Sequence, residues 1–325
     1  MKNEVILFWS LYDRSLHTNH NDWKNTRIVL DPLHVLALHS HIKLKNNVTI
    51  YTYQDLDKKY IPKDIVVKDA SDIFSSEIVY NSLNKGHSIA HVSDAVRLKV
   101  ASRCKGIVLD MDAVMIRQFP KEESWFCSMP AKLTGGMAPK WKDKHPPLKV
   151  HDNSWDGKAL ASFPVKVGEK TSKYIEALSH KIMRTLIRPP KKSSKAWNYV
   201  LWTLKEIIHV DKNAKVYEPI YFCALPAWLN KGNCYSIEYP TRLDGQNKLF
   251  GYKLPSIKEC FDRAYMVQHF FDSAAHKQGG YGVISEDKNK GSRNFWHELP
   301  EQCLLAKEAE YVLGKNWRKI IIKTI

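Results

Sequence analysis

The chain has 325 residues, 44% of them hydrophobic, so it can bury a sizeable core as one large domain or as two lobes. Its 50 Lys and Arg residues against 34 Asp and Glu give a formal net charge of +16. It contains no run of about 18 apolar residues, which excludes a predicted transmembrane helix, and its six cysteines lack CxxC pairs, which excludes a typical zinc site. The N-terminus is unlike a signal peptide, so we expect a cytoplasmic protein, in the host cytoplasm if the source is viral.

Residues 1–120 alternate between strand-like and helix-like segments. Apolar runs and alternating β-branched or aromatic residues predict strands over residues 5–9, 47–53, 65–67 and 107–109. A helix is predicted over 31–41, because Asp31 is a good N-cap and Pro32 suits the first helical position. A second helix is predicted to open at Ser93. The alternation predicts an α/β fold with a mainly parallel central sheet flanked by helices.

Residues 121–325 depart from this regular alternation. A long loop rich in Gly, Pro and Lys is predicted over residues 131–147, and a glycine-rich loop over 279–282. Helices are predicted over 169–187 and 197–208, and short strands over 215–222 and 233–238. This half is therefore expected to be an α+β region with no clean boundary to the first half.

Asp110 and Asp112 carry the clearest chemical signal. They are one residue apart and follow the apolar run Ile107–Leu109, so they face the same way where the predicted strand ends. Two such carboxylates can hold one Mg²⁺ or Mn²⁺ ion that is shared with substrate phosphates. Asp94 and Arg97 lie three residues apart, on one face of the preceding helix. Spacing alone favours an ordinary ion pair within that helix.

The segment over residues 90–116 resembles the sugar-binding region of nucleotide-sugar glycosyltransferases. It has Ser-Asp-x-x-Arg, a helix, and then Gly-[aliphatic]₃-Asp-x-Asp, as in the α-mannosyltransferases that share this region and in the glucosylating clostridial toxins. One departure is Lys105-Gly106, where the family usually has Gly-Gly. The resemblance implies a GT-A-like fold, with residues 1–120 as the nucleotide-sugar-binding half and 121–325 as the acceptor-side and C-terminal region. It also implies transfer with retention of configuration.

The same resemblance implies roles for individual residues. Asp110 and Asp112 match the carboxylates that bind Mn²⁺ or Mg²⁺ and the diphosphate, and Asp94 and Arg97 match the pair that contacts the donor sugar. The donor is expected to be a nucleoside-diphosphate-sugar, a UDP-sugar in the first instance.

Other candidates rest on position. The further nucleotide-sugar-binding candidates are Trp9, Ser10 and Lys277, the third metal ligand is His269, and the catalytic or sugar-contact candidates are Asp152 and Asp156. Trp9 and Ser10 follow the first strand, where ligands bind in open α/β sheets. The alternatives are a core tryptophan for Trp9 and solvated loop carboxylates for Asp152 and Asp156.

The basic excess bears on the acceptor. It predicts a polyanionic acceptor or an acidic membrane surface, although a lysine-rich genome would produce it as well. The favoured acceptor is DNA with hydroxymethylated bases, as glycosylated by bacteriophage enzymes. The alternatives are a glycan or lipid-linked acceptor at the inner membrane surface, and a nucleic-acid-binding protein without enzymatic activity. The candidate acceptor-binding residues are Lys140, Lys142, Arg188, Lys191, Lys192 and Lys195.

Overall fold

The computed structural model describes residues 4–130, 158–188, 207, 211, 213–222, 255–269 and 296–324. The strands are β1 (Glu4–Phe8), β2 (Arg27–Ile28), β3 (Asn47–Thr52), β4 (Asp55–Leu56), β5 (Val66–Asp69), β6 (Ile107–Val108), β7 (Ala113–Met115), β8 (Trp125–Pro130), β9 (Lys158–Lys166), β10 (Lys215–Tyr217) and β11 (Met266–Gln268). The helices are α1 (His20–Asn25), α2 (Pro32–Lys43), α3 (Ser76–Asn84), α4 (Ile89–Cys104), α5 (Glu169–Ile187), α6 (Pro219–Phe222), α7 (Ile257–Arg263), α8 (Leu304–Leu313) and α9 (Trp317–Ile322).

Seven strands form the central sheet, in the order β10-β8-β9-β6-β1-β3-β5. All neighbouring pairs are parallel except those of β9, which is antiparallel to both β6 and β8. The predicted α/β fold with a mainly parallel central sheet flanked by helices is confirmed. The parallel strands β1, β3 and β6 all end at the same edge of the sheet, which we call the carboxyl edge.

The central strand β1 shows why helices cover both faces. Its residues Val5 to Phe8 are all buried, as expected of a parallel strand covered on both sides. Ile6 and Phe8 pack in one apolar cluster with residues of α4 and α5, whereas Val5 and Leu7 pack in a second cluster with residues of α2. Alternate residues of a strand face opposite sides, so the sheet separates two cores.

Two predicted boundaries were wrong. The helix before the Asp-x-Asp segment begins at Ile89 rather than at Ser93, because the hydroxyl of Ser88 accepts from the Ala90 amide and caps it. The predicted strand over 215–222 ends at Tyr217, and a one-turn helix starts at Pro219, whose fixed φ suits a first helical position. The predicted elements over 131–147, 197–206, 233–238 and 279–282 lie outside the described residues.

The turn between α4 and β6 explains why residue 106 is a glycine. A Cβ on Gly106 would lie 3.0 Å from the backbone carbonyl oxygen of Glu4 and 2.5 Å from Ile6 Cδ1, so a larger residue would have to displace β1 or the Ile6 side chain. Lys105 ends α4 with φ of 55° in the left-handed region. A lysine can adopt this conformation, but at a cost that glycine avoids.

Candidate functional site

The candidate site lies at the carboxyl edge, where β6 delivers the Asp-x-Asp segment. Strand β7 follows Asp112 directly and pairs antiparallel with β11, with Ala113 opposite Gln268. Residues 266–269 from the C-terminal half therefore lie beside Asp110 and Asp112. Helix α4 brings Asp94 and Arg97 to the same place, because its first turns lie at the carboxyl edge.

Arg97 is the centre of the site. Its guanidinium is buried and donates from Nη2 to Asp94 Oδ1 at 3.1 Å and from Nη1 to Asp110 Oδ1 at 2.6 Å. It also donates to the carbonyl oxygen of Leu109 and stacks 4.4 Å from the ring centroid of Phe163 on β9. The Asp94/Arg97 pair predicted from spacing is thus present. It extends across to the Asp-x-Asp segment, which an ordinary intrahelical pair would not do.

Gln268 holds Asp110 from the other side. Its Nε2 donates to Asp110 Oδ2 at 2.5 Å, and its side chain is buried. The side chain of Asp110 remains 34% exposed, so it can still face a ligand. The sequence reasoning missed Gln268. A polar residue at the end of the strand-like run Met266-Val267, directly before His269, was the available signal.

Burial and neighbouring charges shift the pKa values of both Asp94 and Arg97. Burial raises the pKa of Asp94 to about 7, the nearby Asp110 carboxylate adds to this rise, and Arg97 opposes it. Burial alone would lower the pKa of Arg97, but the carboxylates of Asp110 and Asp94 outweigh burial and raise it. Arg97 therefore stays charged and joins the two acids as a fixed cation.

Asp112 and His269 are joined by a backbone hydrogen bond. The amide of His269 donates to the carbonyl oxygen of Asp112 at 3.2 Å, and Asp112 is 8% exposed. The His269 ring binds Glu308 of α8, with Nε2 and Oε2 2.7 Å apart and both side chains fully buried. Burial lowers the pKa of His269, but Glu308 outweighs this effect and raises it. A role for His269 as metal ligand therefore requires loss of a proton from a ring that Glu308 anchors.

The donor set fits a metal ion that is shared with a substrate. Across the described parts of the chain, no group of three or more His, Cys, Asp or Glu side chains could hold a metal ion. Mg²⁺, however, is commonly bound by one or two carboxylates together with substrate phosphates and water. Asp110 and Asp112 offer two carboxylates of this kind at the carboxyl edge. They would hold such an ion, and His269 stays a candidate beside them.

Trp9 and Ser10 lie where β1 ends. Trp9 is partly exposed, donates from Nε1 to the carbonyl oxygen of Val29 at 3.2 Å, and packs edge-on against His34 with ring centroids 4.2 Å apart. The hydroxyl of Ser10 is buried and accepts from the Tyr53 amide at 2.9 Å, which ties β1 to the end of β3. Trp9 has the exposure that stacking on a base requires, whereas Ser10 has a structural contact.

Arg188 is exposed at the end of α5, and its carbonyl oxygen accepts from His87 Nε2 at 2.6 Å. His87 lies just before α4, so Arg188 is at the same edge of the sheet as Asp110. The other candidates, for acceptor, catalytic or diphosphate contact, lie outside the described residues: Lys140, Lys142, Asp152, Asp156, Lys191, Lys192, Lys195 and Lys277.

Comparison with known proteins does not assign this chain to a family. No protein-family model and no curated protein matches this chain. Among solved structures, the chain is similar to PaToxG glycosyltransferase, with a TM-score of 0.35 and 13% identity over 87% of this chain and 89% of that one. Within the described residues, no helix is both long enough and apolar enough to cross a membrane.

Proposed function

We propose that this protein is a metal-dependent glycosyltransferase that moves a sugar from a nucleoside-diphosphate-sugar, a UDP-sugar in the first instance, to an acceptor with retention of configuration. One observation carries the proposal: the buried Arg97 joins Asp94 of α4 to Asp110 of the Asp-x-Asp segment at the carboxyl edge. Ligands of open α/β sheets bind outside this edge. A cation and two acids fixed there, with Asp112 beside them, suit a donor that carries both hydroxyls and a diphosphate.

Different residues contact different parts of the donor. Asp110 and Asp112 would hold the metal ion, which would supply positive charge to the leaving diphosphate. Asp94 accepts hydrogen bonds from hydroxyls of the transferred sugar. Arg97 makes three contacts within the protein and therefore acts mainly by fixing Asp94 and Asp110 in place. Trp9, at the end of β1, stacks on the nucleobase.

The proposed acceptor is DNA with hydroxymethylated bases. Helix α5 supports a polyanionic acceptor: it buries Ile175, Leu178 and Ile182 and exposes basic residues. Those exposed basic residues are Lys170, Lys173, Lys181, Arg184 and Arg188. Of its two acids, Glu169 pairs with Lys105 and Glu176 with Lys99. Because α5 ends at the carboxyl edge, its basic face, defined by these five residues, leads toward the site.

A transfer assay tests both levels of the proposal. The protein is incubated with Mn²⁺ and a panel of UDP-, GDP- and dTDP-sugars, together with hydroxymethylcytosine DNA, unmodified DNA or a cell-envelope extract. We expect sugar transfer to hydroxymethylcytosine DNA alone. Transfer only to the envelope extract would favour a glycan or lipid-linked acceptor. Binding of DNA with no turnover of any donor would leave the non-enzymatic alternative.

A further inference from the structure

Gln268 has a buried acceptor atom that the protein itself does not use. Its Nε2 donates to Asp110 Oδ2, while its Oε1 is buried and has no hydrogen-bond partner among the residues described. The carboxylate fixes this orientation of the amide, because Asp110 Oδ2 can accept but the reversed amide would set an oxygen against it. Gln268 Oε1 is therefore an acceptor at the margin of the site.

Asp94 has the same feature on the other side of Asp110. Its Oδ1 accepts from Arg97, and its Oδ2 is buried without a partner in the described part of the chain. Folded proteins leave few buried polar atoms unsatisfied, since each such acceptor costs about 1–3 kcal/mol. Asp94, Arg97, Asp110 and Gln268 form a continuous chain of hydrogen bonds, so two unsatisfied acceptors lie at the ends of one rigid cluster. A ligand with several hydroxyl donors suits this pattern.

We propose that Gln268 determines donor specificity by accepting a hydrogen bond from one hydroxyl of the transferred sugar. This inference rests on the proposed function and deepens it. Asp94 and Gln268 contact different hydroxyls of the sugar, because each presents its oxygen from a different flank of Asp110. A site built to hydrogen-bond a hydroxyl rejects an analogue that lacks the hydroxyl, since the buried acceptor then stays unpaired.

A purely structural role for Gln268 makes a different prediction. If Gln268 only positioned Asp110, its loss would weaken binding of the metal and the diphosphate, and would weaken UDP as much as UDP-sugar. A contact with the sugar adds a second loss of affinity, which only ligands that carry the relevant hydroxyl show. The ratio of the two affinities therefore distinguishes the roles.

The test measures ligand affinity by calorimetry in Mg²⁺, without acceptor. The probes are UDP, UDP-glucose, UDP-galactose, UDP-N-acetylglucosamine and monodeoxy analogues of the sugar that binds best. We expect one deoxy analogue to bind wild type about 10- to 100-fold more weakly than its parent. Gln268→Met, of similar size and without the acceptor, should bind the parent and that analogue equally. Because this variant also loses the bond to Asp110, UDP affinity should fall as well, and the ratio of parent to analogue affinity is the readout.

Two further variants keep the result interpretable. Gln118→Met changes an exposed glutamine whose Nε2 donates to the Leu44 carbonyl oxygen, and it should behave as wild type. Gln268→Leu is a second replacement without the acceptor, so it should also lose discrimination against the deoxy analogue and serves if Gln268→Met fails to fold. Discrimination retained by a folded Gln268→Met or a folded Gln268→Leu would overturn this inference alone. No binding of any UDP-sugar by wild type would overturn the proposed function as well.

Discussion

At the scale of single residues, the site is a cluster in which each charge depends on its neighbours. Arg97 is buried between Asp94 and Asp110, so losing it would leave two acids without their cation. The sequence predicts Asp94, Arg97, Asp110 and Asp112, because each pair is local in the chain. It does not predict the contact between Gln268 and Asp110, which joins residues 158 positions apart. No short-range pattern specifies a pair at that separation.

Asp94→Asn should lower turnover far more than nucleotide affinity. The amide keeps the size of the side chain but presents a weaker acceptor to the sugar and a weaker partner to Arg97. We expect kcat with a UDP-sugar to fall by about 100-fold, within the range for loss of one transition-state contact, while UDP affinity changes by less than about threefold. Steady-state kinetics and calorimetry measure the two quantities. A collapse of UDP affinity would mean that Asp94 serves the fold or the nucleotide instead.

Lys105→Gly should stabilise the protein by about 0.5–1 kcal/mol, because Lys105 has positive φ at the end of α4. The partly exposed ion pair with Glu169 that this change removes contributes little. Urea denaturation measures the free energy of unfolding. Lys85→Gly is the matched control. Lys85 ends α3 with φ of −76°, so glycine at this position should destabilise the protein. Equal effects of the two changes would contradict the assigned role of φ.

At the scale of secondary structure, α2 carries two buried histidines, one of which contacts Trp9. Asp31 Oδ1 accepts from the Leu33 amide at 2.9 Å, and His34 Nδ1 accepts from the Asp31 amide at 3.3 Å, so the helix starts in a reciprocal cap. The same His34 ring contacts Trp9. Burial lowers the pKa of both His34 and His41 to about 3, so both rings are neutral at pH 7. The sequence predicted this helix from Asp31 and Pro32, but not that its histidines would be buried.

The buried histidines predict loss of stability in acid. The unfolded chain binds protons on these rings below a pH of about 6.5, whereas the folded chain binds them only near pH 3. Their contribution is therefore full above pH 6.5 and is lost as the pH falls toward 3, by up to about 1.4 kcal/mol per pH unit for each ring.

His41→Gln should lower the slope of the free energy of unfolding against pH by the contribution of about one bound proton. Urea denaturation between pH 7.5 and 5 measures this slope. The exposed His297→Gln is its control and should leave the slope unchanged. An unchanged slope in His41→Gln would show that His41 does not titrate as its burial requires.

At the scale of the whole molecule, the site draws on distant parts of the chain. Strand order places β6 beside β1, and β11 reaches Asp-x-Asp by pairing with β7. The β/α alternation predicted the parallel half of the sheet, because its strands are short apolar runs and helices separate β1 from β3 and β5 from β6. It did not predict the antiparallel insertion of β9 between β6 and β8, since strand order depends on tertiary packing.

The basic face of α5 should bind DNA through phosphate contacts. Changing Lys173, Lys181 and Arg184 together to Gln should weaken binding to all DNA sequences and reduce the log–log salt slope by up to about 2.7, at about 0.9 for each contact. UDP-sugar affinity should not change. Fluorescence anisotropy at several salt concentrations measures the slope.

The control changes the same net charge at exposed Lys58, Lys59 and Lys63, which lie between β4 and β5. If both triple variants lower the slope equally, net charge rather than α5 accounts for DNA binding, and the acceptor surface must be sought elsewhere.

Metal-dependent turnover of a UDP-sugar in wild type and in Asp112→Ala tests the central claim most directly. Both proteins are stripped with a chelator, thermal unfolding confirms that both are folded, and release of UDP is followed as Mn²⁺ is added back. The account predicts turnover by wild type that depends on Mn²⁺ and falls by about 100-fold or more in Asp112→Ala at every metal concentration. Near-normal, Mn²⁺-stimulated turnover in Asp112→Ala would contradict the assignment of the Asp-x-Asp segment as the metal and diphosphate site.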